Sequence, residues 1–366
     1  MKKFILAFFI IVSATFSGAK AQMPVRSIHV SGYNTENVSS AIDVVFDNRF
    51  EDSIYVESCD ALIDKLEIEI KGTKVSIGYS KAGKGAIKSN RKSVVYMSAS
   101  ALTALTATGE SAIVSNQRLA GKNISIKLSG KSTLKADVET ASAGIKLSGE
   151  SSFEGSVNCT NASFSLSGSS SVRIISGKCS KLSLSTGGES SFDGRNLSVT
   201  SYNRCSLGAS SKADLVLSGN TDISTAGSAA LFAHLDCKKT SINMSKTGRV
   251  TLNGNCKTLV LKTSGNCDFK NPGFVADNSV SCTASGSGTI DVHCRGNVSV
   301  KASDACNINV HCTGVLKIAA SGTSNVTYTE GAKVASLSIK DQATSRAVKE
   351  SPAAAYTPAA TLPIIR

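Results

Sequence analysis

The chain has 366 residues, of which 41% are hydrophobic and 18% charged; it carries 30 glycines, 11 cysteines, no tryptophan and a formal charge of +13. This balance excludes collagen, a coiled coil and a charge-rich disordered chain. It also disfavours an ordinary α/β enzyme, whose helices would need more Leu, Glu and Lys.

Residues 1–21 read as a signal peptide. Lys2 and Lys3 make a positive start, Phe4 to Val12 is an apolar run too short to span a bilayer, and Ala19-Lys20-Ala21 is a cleavage site. The expected localisation is therefore exported: periplasmic, cell-surface or secreted, with no membrane span elsewhere. Gln22 follows the cut, so no lipid-bearing cysteine is expected there. Loss of Lys2, Lys3 and Lys20 takes the formal charge from +13 to +10. A basic surface fits anionic partners, such as an acidic glycan or a cell surface, or serves solubility alone. Nucleic acid is not an expected partner, because neither a fold signature nor stacking aromatics are present.

Residues 22–96 read as an N-terminal β region, with strands at Ser27–Val30, Ala41–Phe46, Ser53–Glu57, Leu66–Lys71 and Lys74–Ile77. They do not cleanly join the repeat register that follows, and some of them are expected to cap its open sheet end. Lys81 to Lys92, with five basic residues and two glycines, reads as a loop.

From 97 to 345 the chain repeats itself. Leu147-Ser148-Gly149-Glu150-Ser151-Ser152-Phe153-Glu154-Gly155 is echoed by Thr186-Gly187-Gly188-Glu189-Ser190-Ser191-Phe192-Asp193-Gly194. Anchoring each unit on its central residue gives Gly109, Gly130, Gly149, Gly168, Gly188, Ala209, Gly227, Gly248, Gly265, Gly286, Asp304, Gly322 and Asp341, a spacing of about 19 residues. Four residues before the anchor every unit is apolar, from Leu105, Ile126 and Ile145 to Met244, Ile318 and Leu337. Four residues after it stand residues such as Ile113, Leu134, Phe153 and Ile308, and again none is polar. Two after it runs a small-residue column, Ser111, Ser132, Ser151, Ser170, Ser190 and Ser211, continuing through Cys267, Cys306 and Ser324. Period-two alternation in strands recurring every ~19 residues, without helices between, predicts an all-β fold: a right-handed parallel β-helix, or solenoid, of about 12–13 coils. The Ala/Pro-rich stretch 346–366 is expected to be an irregular tail.

Ile28-His29-Val30-Ser31-Gly32-Tyr33, Ala41-Ile42-Asp43-Val44 and Leu62-Ile63-Asp64-Lys65-Leu66-Glu67-Ile68-Glu69-Ile70 resemble the bacterial family called putative auto-transporter adhesin, head GIN domain. The resemblance continues through Leu102-Thr103-Ala104-Leu105, Thr108-Gly109-Glu110-Ser111 and Leu128-Ser129-Gly130, is closest over about residues 26–200, and is looser beyond. It implies an exported protein with a repetitive β fold, and it supplies no catalytic residues. The cysteine-rich later coils are a departure from the family pattern.

Four candidate constellations remain. Cys205, Cys267, Cys282 and Cys306 fall in inward columns, Cys256, Cys294 and Cys312 share the inward place eight after the anchor, and Cys159, Cys179 and Cys237 lie near it. They read as small buried filler, with disulfides between adjacent coils as the alternative, since stacked Cα atoms ~4.8 Å apart lie within bridging range. No Cys-x-x-Cys pair supports a zinc ribbon. His293 and His311 occupy one outward column in neighbouring coils, where they would share a transition metal or form a pH-sensitive pair, or stand simply as exposed repeat residues. The column five after the anchor reads Lys135, Glu154, Arg173, Asp193 and Asp214, a charge ladder until the last two. Stacked Asp193 and Asp214 are the one carboxylate pair a polysaccharide-cleaving β-helix would use as acid and base. The inward serines read as packing at a tight bend, not as nucleophiles. The reading is a non-enzymatic, adhesin-like or scaffolding solenoid without a cofactor, offering a repetitive polar face to a glycan or another protein.

Overall fold

The computed structural model describes residues 25–30, 32–80 and 93–349. The expected signal peptide, the expected loop at 81–92 and the expected tail from residue 350 onward lie outside the described residues. The chain is a nearly all-β solenoid of about 13 turns, dividing into two compact units, residues 1–177 and 178–366.

In the first unit the turn that defines each coil is set by backbone geometry. Gly109, Gly130, Gly149 and Gly168 all have φ between 72 and 84°, in the left-handed region that L side chains disfavour by about 1–2 kcal/mol. The next residue's N–H donates to the anchor carbonyl of the preceding coil: Lys131 to Gly109 at 2.6 Å, Glu150 to Gly130 at 2.7 Å and Ser169 to Gly149 at 2.8 Å. A Cβ on Gly149 would sit 2.8 Å from the Gly130 oxygen, and one on Gly130 would sit 2.5 Å from that of Gly109. Glycine is thus required twice, for its φ and for the close approach of the coil below. On either side of the turn, strands alternate inward and outward. Leu119–Leu128 pairs in parallel with Val138–Leu147, which pairs with Ser152–Leu166, placing Ile126, Ile145 and Phe164 in one buried column.

Part of the N-terminal region joins this register. Thr35–Val38 lies parallel to Ala104–Ala107, and Ile42–Phe46 lies parallel to Ala112–Ser115. Ser40, between them, takes φ 76° and stacks beneath Gly109. Residues 35–46 are therefore a coil whose anchor is a serine, which hid it from a glycine-based alignment. Lys74–Tyr79 and Ser93–Met97 add in parallel on its other side. Antiparallel strands then close the edge, Leu66–Lys71 against Lys74–Tyr79, and Ser53–Glu57 against both Ser93–Met97 and Val25–His29.

This serine-anchored coil carries an anomaly. Glu36 stands four residues before Ser40, in the column that is apolar elsewhere, between Val75 and Leu105. It is fully buried, and neither carboxyl oxygen has a hydrogen-bond partner. Burial pushes its pKa up to about 8, and Glu36 in turn helps, after burial, to raise the phenol of Tyr33. At neutral pH the carboxyl stays neutral in the folded chain.

In the second unit, Lys212–Thr225, Ala230–Lys246, Arg249–Gly265 and Phe274–Ala284 continue in parallel register. Shorter strands follow in two parallel stacks: Thr289–Cys294 pairs with Asn307–Cys312 and that strand with Asn325–Thr329, while Asn297–Ala302 pairs with Val315–Ala320 and that strand with Lys333–Ile339. One anchor differs from the sequence alignment. The left-handed residue of the fourth coil is Lys246 at φ 62°, paired with Gly265, and not Gly248. The inward residue four before it is Ile242, opposite Leu261, where the alignment put Met244. Lysine at the turn masked the register there, and a nearby glycine took its place in the count. Ala209, Asp304 and Asp341 are the other non-glycine anchors, at φ 54–61°. Asp304 compensates with its side chain, which accepts from the Gly286 N–H at 3.0 Å, and Asp341 does the same for Gly322. The last strand, Thr344–Val348, runs into the stretch expected to be irregular.

Two outcomes follow. Gly149→Val should lower stability by at least about 2 kcal/mol, adding overlap to the left-handed penalty, whereas Ala209→Gly should change it far less; urea unfolding followed by circular dichroism measures both. Glu36 binds a proton in the folded chain across a window where it is ionised when unfolded. Its contribution is therefore intact below the ordinary Glu range and is lost as pH rises to about 8. Glu36→Gln should flatten that decline, whose slope is at most about 1.4 kcal/mol per pH unit for one proton, as read from unfolding midpoints between pH 4 and 9.

Candidate functional site

The inward serines perform one structural task. In several turns the hydroxyl two after the anchor donates to the carbonyl one before it: Ser132 to Ser129 at 2.8 Å, Ser151 to Ser148 at 2.9 Å, Ser190 to Gly187 at 2.8 Å, Ser211 to Gly208 at 2.8 Å and Ser324 to Ser321 at 2.8 Å. Cys267 and Cys306 take the same place and make the same bond through sulfur, at 3.3 and 3.2 Å. The column is a turn lock in which thiol replaces hydroxyl. Ser170 departs from it, its buried hydroxyl having no partner. A hydroxyl buried and committed to a carbonyl offers no nucleophile.

All eleven cysteines are free thiols, nine of them buried. Burial pushes Cys205, Cys256 and Cys282 up to about 12, so these thiols stay protonated and unreactive. Cys205 stacks on Ile223, and Cys282 sits between Leu261 and Val300. These contacts are those of core filler.

The charge column forms as ion pairs within the first unit. Lys135 lies 3.5 Å from Glu154, and Arg173 lies 3.9 Å from it on the other side. All are exposed, so each pair contributes little to stability. In the second unit Asp193 and Asp214 are register partners on neighbouring strands. Arg195, two residues from Asp193, grips that carboxylate in a fork at 2.9 and 2.7 Å. The bonds to Asp193, and more weakly the charge of Asp214, hold the guanidinium more firmly protonated. A carboxylate bound bidentately to guanidinium has its lone pairs committed and is poorly placed to donate a proton. The arginine was visible in the sequence, but its position on the same outward face required the strand geometry.

His293 and His311 are register partners whose rings stack at 4.5 Å between centroids and 3° from parallel. Stacked rings direct their nitrogen lone pairs side by side instead of at one point, so a shared metal would require the rings to leave the stack. The Nδ1 of His311 is buried without a partner. Beneath them, Cys294 and Cys312 are also register partners. These four residues line one open cavity of about 330 Å³, rimmed by Arg295 and Glu330. Arg295 pairs with Asp277 at 2.6 Å. Among the described residues, no group of three or more His, Cys, Asp or Glu could hold a metal ion.

Outside these constellations lies a basic column that the sequence reading overlooked, three residues before the anchor. In the first unit Lys127 stacks on Lys146. In the second, Lys262, Thr283 and Lys301 stand in register, with Ser281, Ser299 and Lys317 in the column beside them. All three lysines are exposed, and among the described residues none is in an ion pair. The signal was present in the anchored alignment, as lysine recurring at a single odd offset.

Comparison with known proteins adds a family. The profile of the family described as putative auto-transporter adhesin, head GIN domain, matches residues 32–195, 142–216 and 196–314. The chain belongs to this family. The matched segments cover both compact units, including the cysteine-rich coils as far as residue 314. Similar solved structures include a putative adhesin from Parabacteroides merdae, 13% identical over 90% of this chain and 97% of that one, with a TM-score of 0.26. A putative adhesin from Parabacteroides distasonis is 17% identical over 84% and 97% respectively, with a TM-score of 0.32. A putative lipid binding protein from the same organism is 14% identical over 90% and 98%, at 0.25. Scores this low bear on neither site nor ligand. No curated protein matches the chain.

The Arg195 clamp carries an expectation. Incubation with a panel of neutral and anionic polysaccharides should release no reducing ends. Release that disappears in Asp193→Asn would instead identify the Asp193–Asp214 pair as catalytic.

Proposed function

We propose that this member of the head GIN adhesin family is an exported, non-enzymatic adhesin-like protein that binds an anionic glycan through its outward lysine columns. The observation that carries the reading is the register of Lys262, Thr283 and Lys301, flanked by Ser281, Ser299 and Lys317. Strand spacing sets successive rungs about 4.8 Å apart, so lysines two rungs apart are separated by roughly 10 Å, a span over which an extended acidic chain can meet more than one of them. Seryl and threonyl hydroxyls between them supply neutral hydrogen bonds to sugar hydroxyls. Individually weak contacts gain from repetition, because the second engagement on one polymer is intramolecular. The coil column supplies that repetition without loops.

The family's adhesin character supports an exported or cell-surface setting, as does the apolar start of the chain. No helix among the described residues is long and apolar enough to cross a membrane.

Retention on immobilised polygalacturonate or heparin should weaken as salt rises. The double variant Lys262→Glu, Lys301→Glu should bind about tenfold more weakly, reflecting a loss of roughly 1.4 kcal/mol over two exposed charge contacts. Unchanged affinity in that variant would refute the basic column as the binding surface.

A further inference from the structure

The cavity beside the stacked histidines contains a second pair, and its geometry differs from that of the imidazoles. Cys294 and Cys312 occupy the same inward position on adjacent parallel strands. Identical residues in register on such strands repeat at the rung spacing, about 4.8 Å. Two metal–thiolate bonds of about 2.3 Å laid end to end span about 4.6 Å. That match selects a linear, two-coordinate ion, and thiolate ligands select a soft one. Zinc and nickel need more ligands than two, and the described residues hold no third within reach.

The geometry points to Cys294 and Cys312 as a two-coordinate site for a soft monovalent cation of the Cu(I) or Ag(I) type. Binding forms two sulfur–metal bonds and releases two thiol protons, to solvent or to the imidazoles of the same cavity, with no change in oxidation state. Two features separate this pair from the chain's other thiols. The pair lines an open cavity, so an ion has a path to it. The Gly296 N–H already donates to the Cys294 sulfur at 3.3 Å, an interaction that strengthens as the sulfur becomes thiolate. Cys237 and Cys256 are also register partners, but neither lines that cavity, and the Cys237 sulfur is engaged with the Thr221 hydroxyl at 3.2 Å. They form the internal control.

The test is anaerobic titration of the reduced, full-length chain with Cu(I) in the presence of a competing chelator, repeated with Ag(I). One equivalent should be retained, and X-ray absorption should show two sulfur neighbours. Cys294→Ser and Cys312→Ser should each lose that equivalent while keeping the parent's circular dichroism spectrum, and Cys256→Ser should keep it. Should either serine variant misfold, the absorption spectra of the parent and of Cys256→Ser decide together: two sulfurs in both support the site, and a nitrogen shell, or loss of the two sulfurs in Cys256→Ser, overturns it. The proposal also falls if no metal is retained, if Cys256→Ser loses it equally, or if His311→Ala removes it while the cysteine variants do not.

Discussion

Everything in this fold depends on one backbone contact, repeated coil after coil: an N–H just past a left-handed residue donating to the anchor carbonyl of the coil before. In the first unit the contact is 2.6 Å between Lys131 and Gly109 and 2.7 Å between Glu150 and Gly130. It leaves little room for a side chain at the anchor, which is why glycine dominates the position and Ser40, Ala209, Lys246, Asp304 and Asp341 are exceptions. It also sets the period, because the strands on either side must return the chain to the same place. Inward columns of Ile, Leu, Phe and Val follow from that period, and so does the serine or cysteine that locks many of the turns through the carbonyl three residues earlier. A sequence with few aromatics and much serine and glycine is what such narrow, tightly turned coils demand.

The same periodicity shapes the surface. A residue placed at one offset is placed beside its counterpart in the next coil, so any chemistry at that offset is presented as a row. Opposite charges in a row become ion pairs, as with Lys135, Glu154 and Arg173. Like charges in a row become a basic stripe, as with Lys262 and Lys301 around Thr283. Thiols in a row become a pair matched to a linear ion. The fold thus makes multivalent surfaces from single offsets, which suits the adhesin family to which the chain belongs.

Deviations from the pattern are where the chain departs from pure stacking. Glu36 brings a neutral carboxyl into an apolar column of the coil next to the edge-closing strands, and couples that coil's stability to pH. Asp304 and Asp341 replace anchor glycines and return a side-chain hydrogen bond to the coil before. Lys246 replaces another without such a bond, next to Gly248. These substitutions cost conformational strain locally, and they are tolerated because coils on both sides hold the backbone in place.

The alternation of apolar and polar residues and the recurrence of the anchor were enough to determine the solenoid, its coil count and most of its inward columns, because period and burial are properties of the sequence itself. The fold was blurred where the anchor was not glycine: the serine-anchored coil 35–46 passed as cap, and Gly248 stood in for Lys246. The candidate sites were legible only as columns. That Asp193 and Asp214, His293 and His311, and Cys294 and Cys312 are neighbours followed from register. What each pair can do did not, since it depends on a third group brought in by strand direction and side-chain orientation. Arg195 closes over Asp193, the histidine rings stack face to face, and a cavity opens beside Cys294 and Cys312. Those arrangements belong to tertiary structure, because they are set by distances between side chains that the repeat places near one another but does not aim.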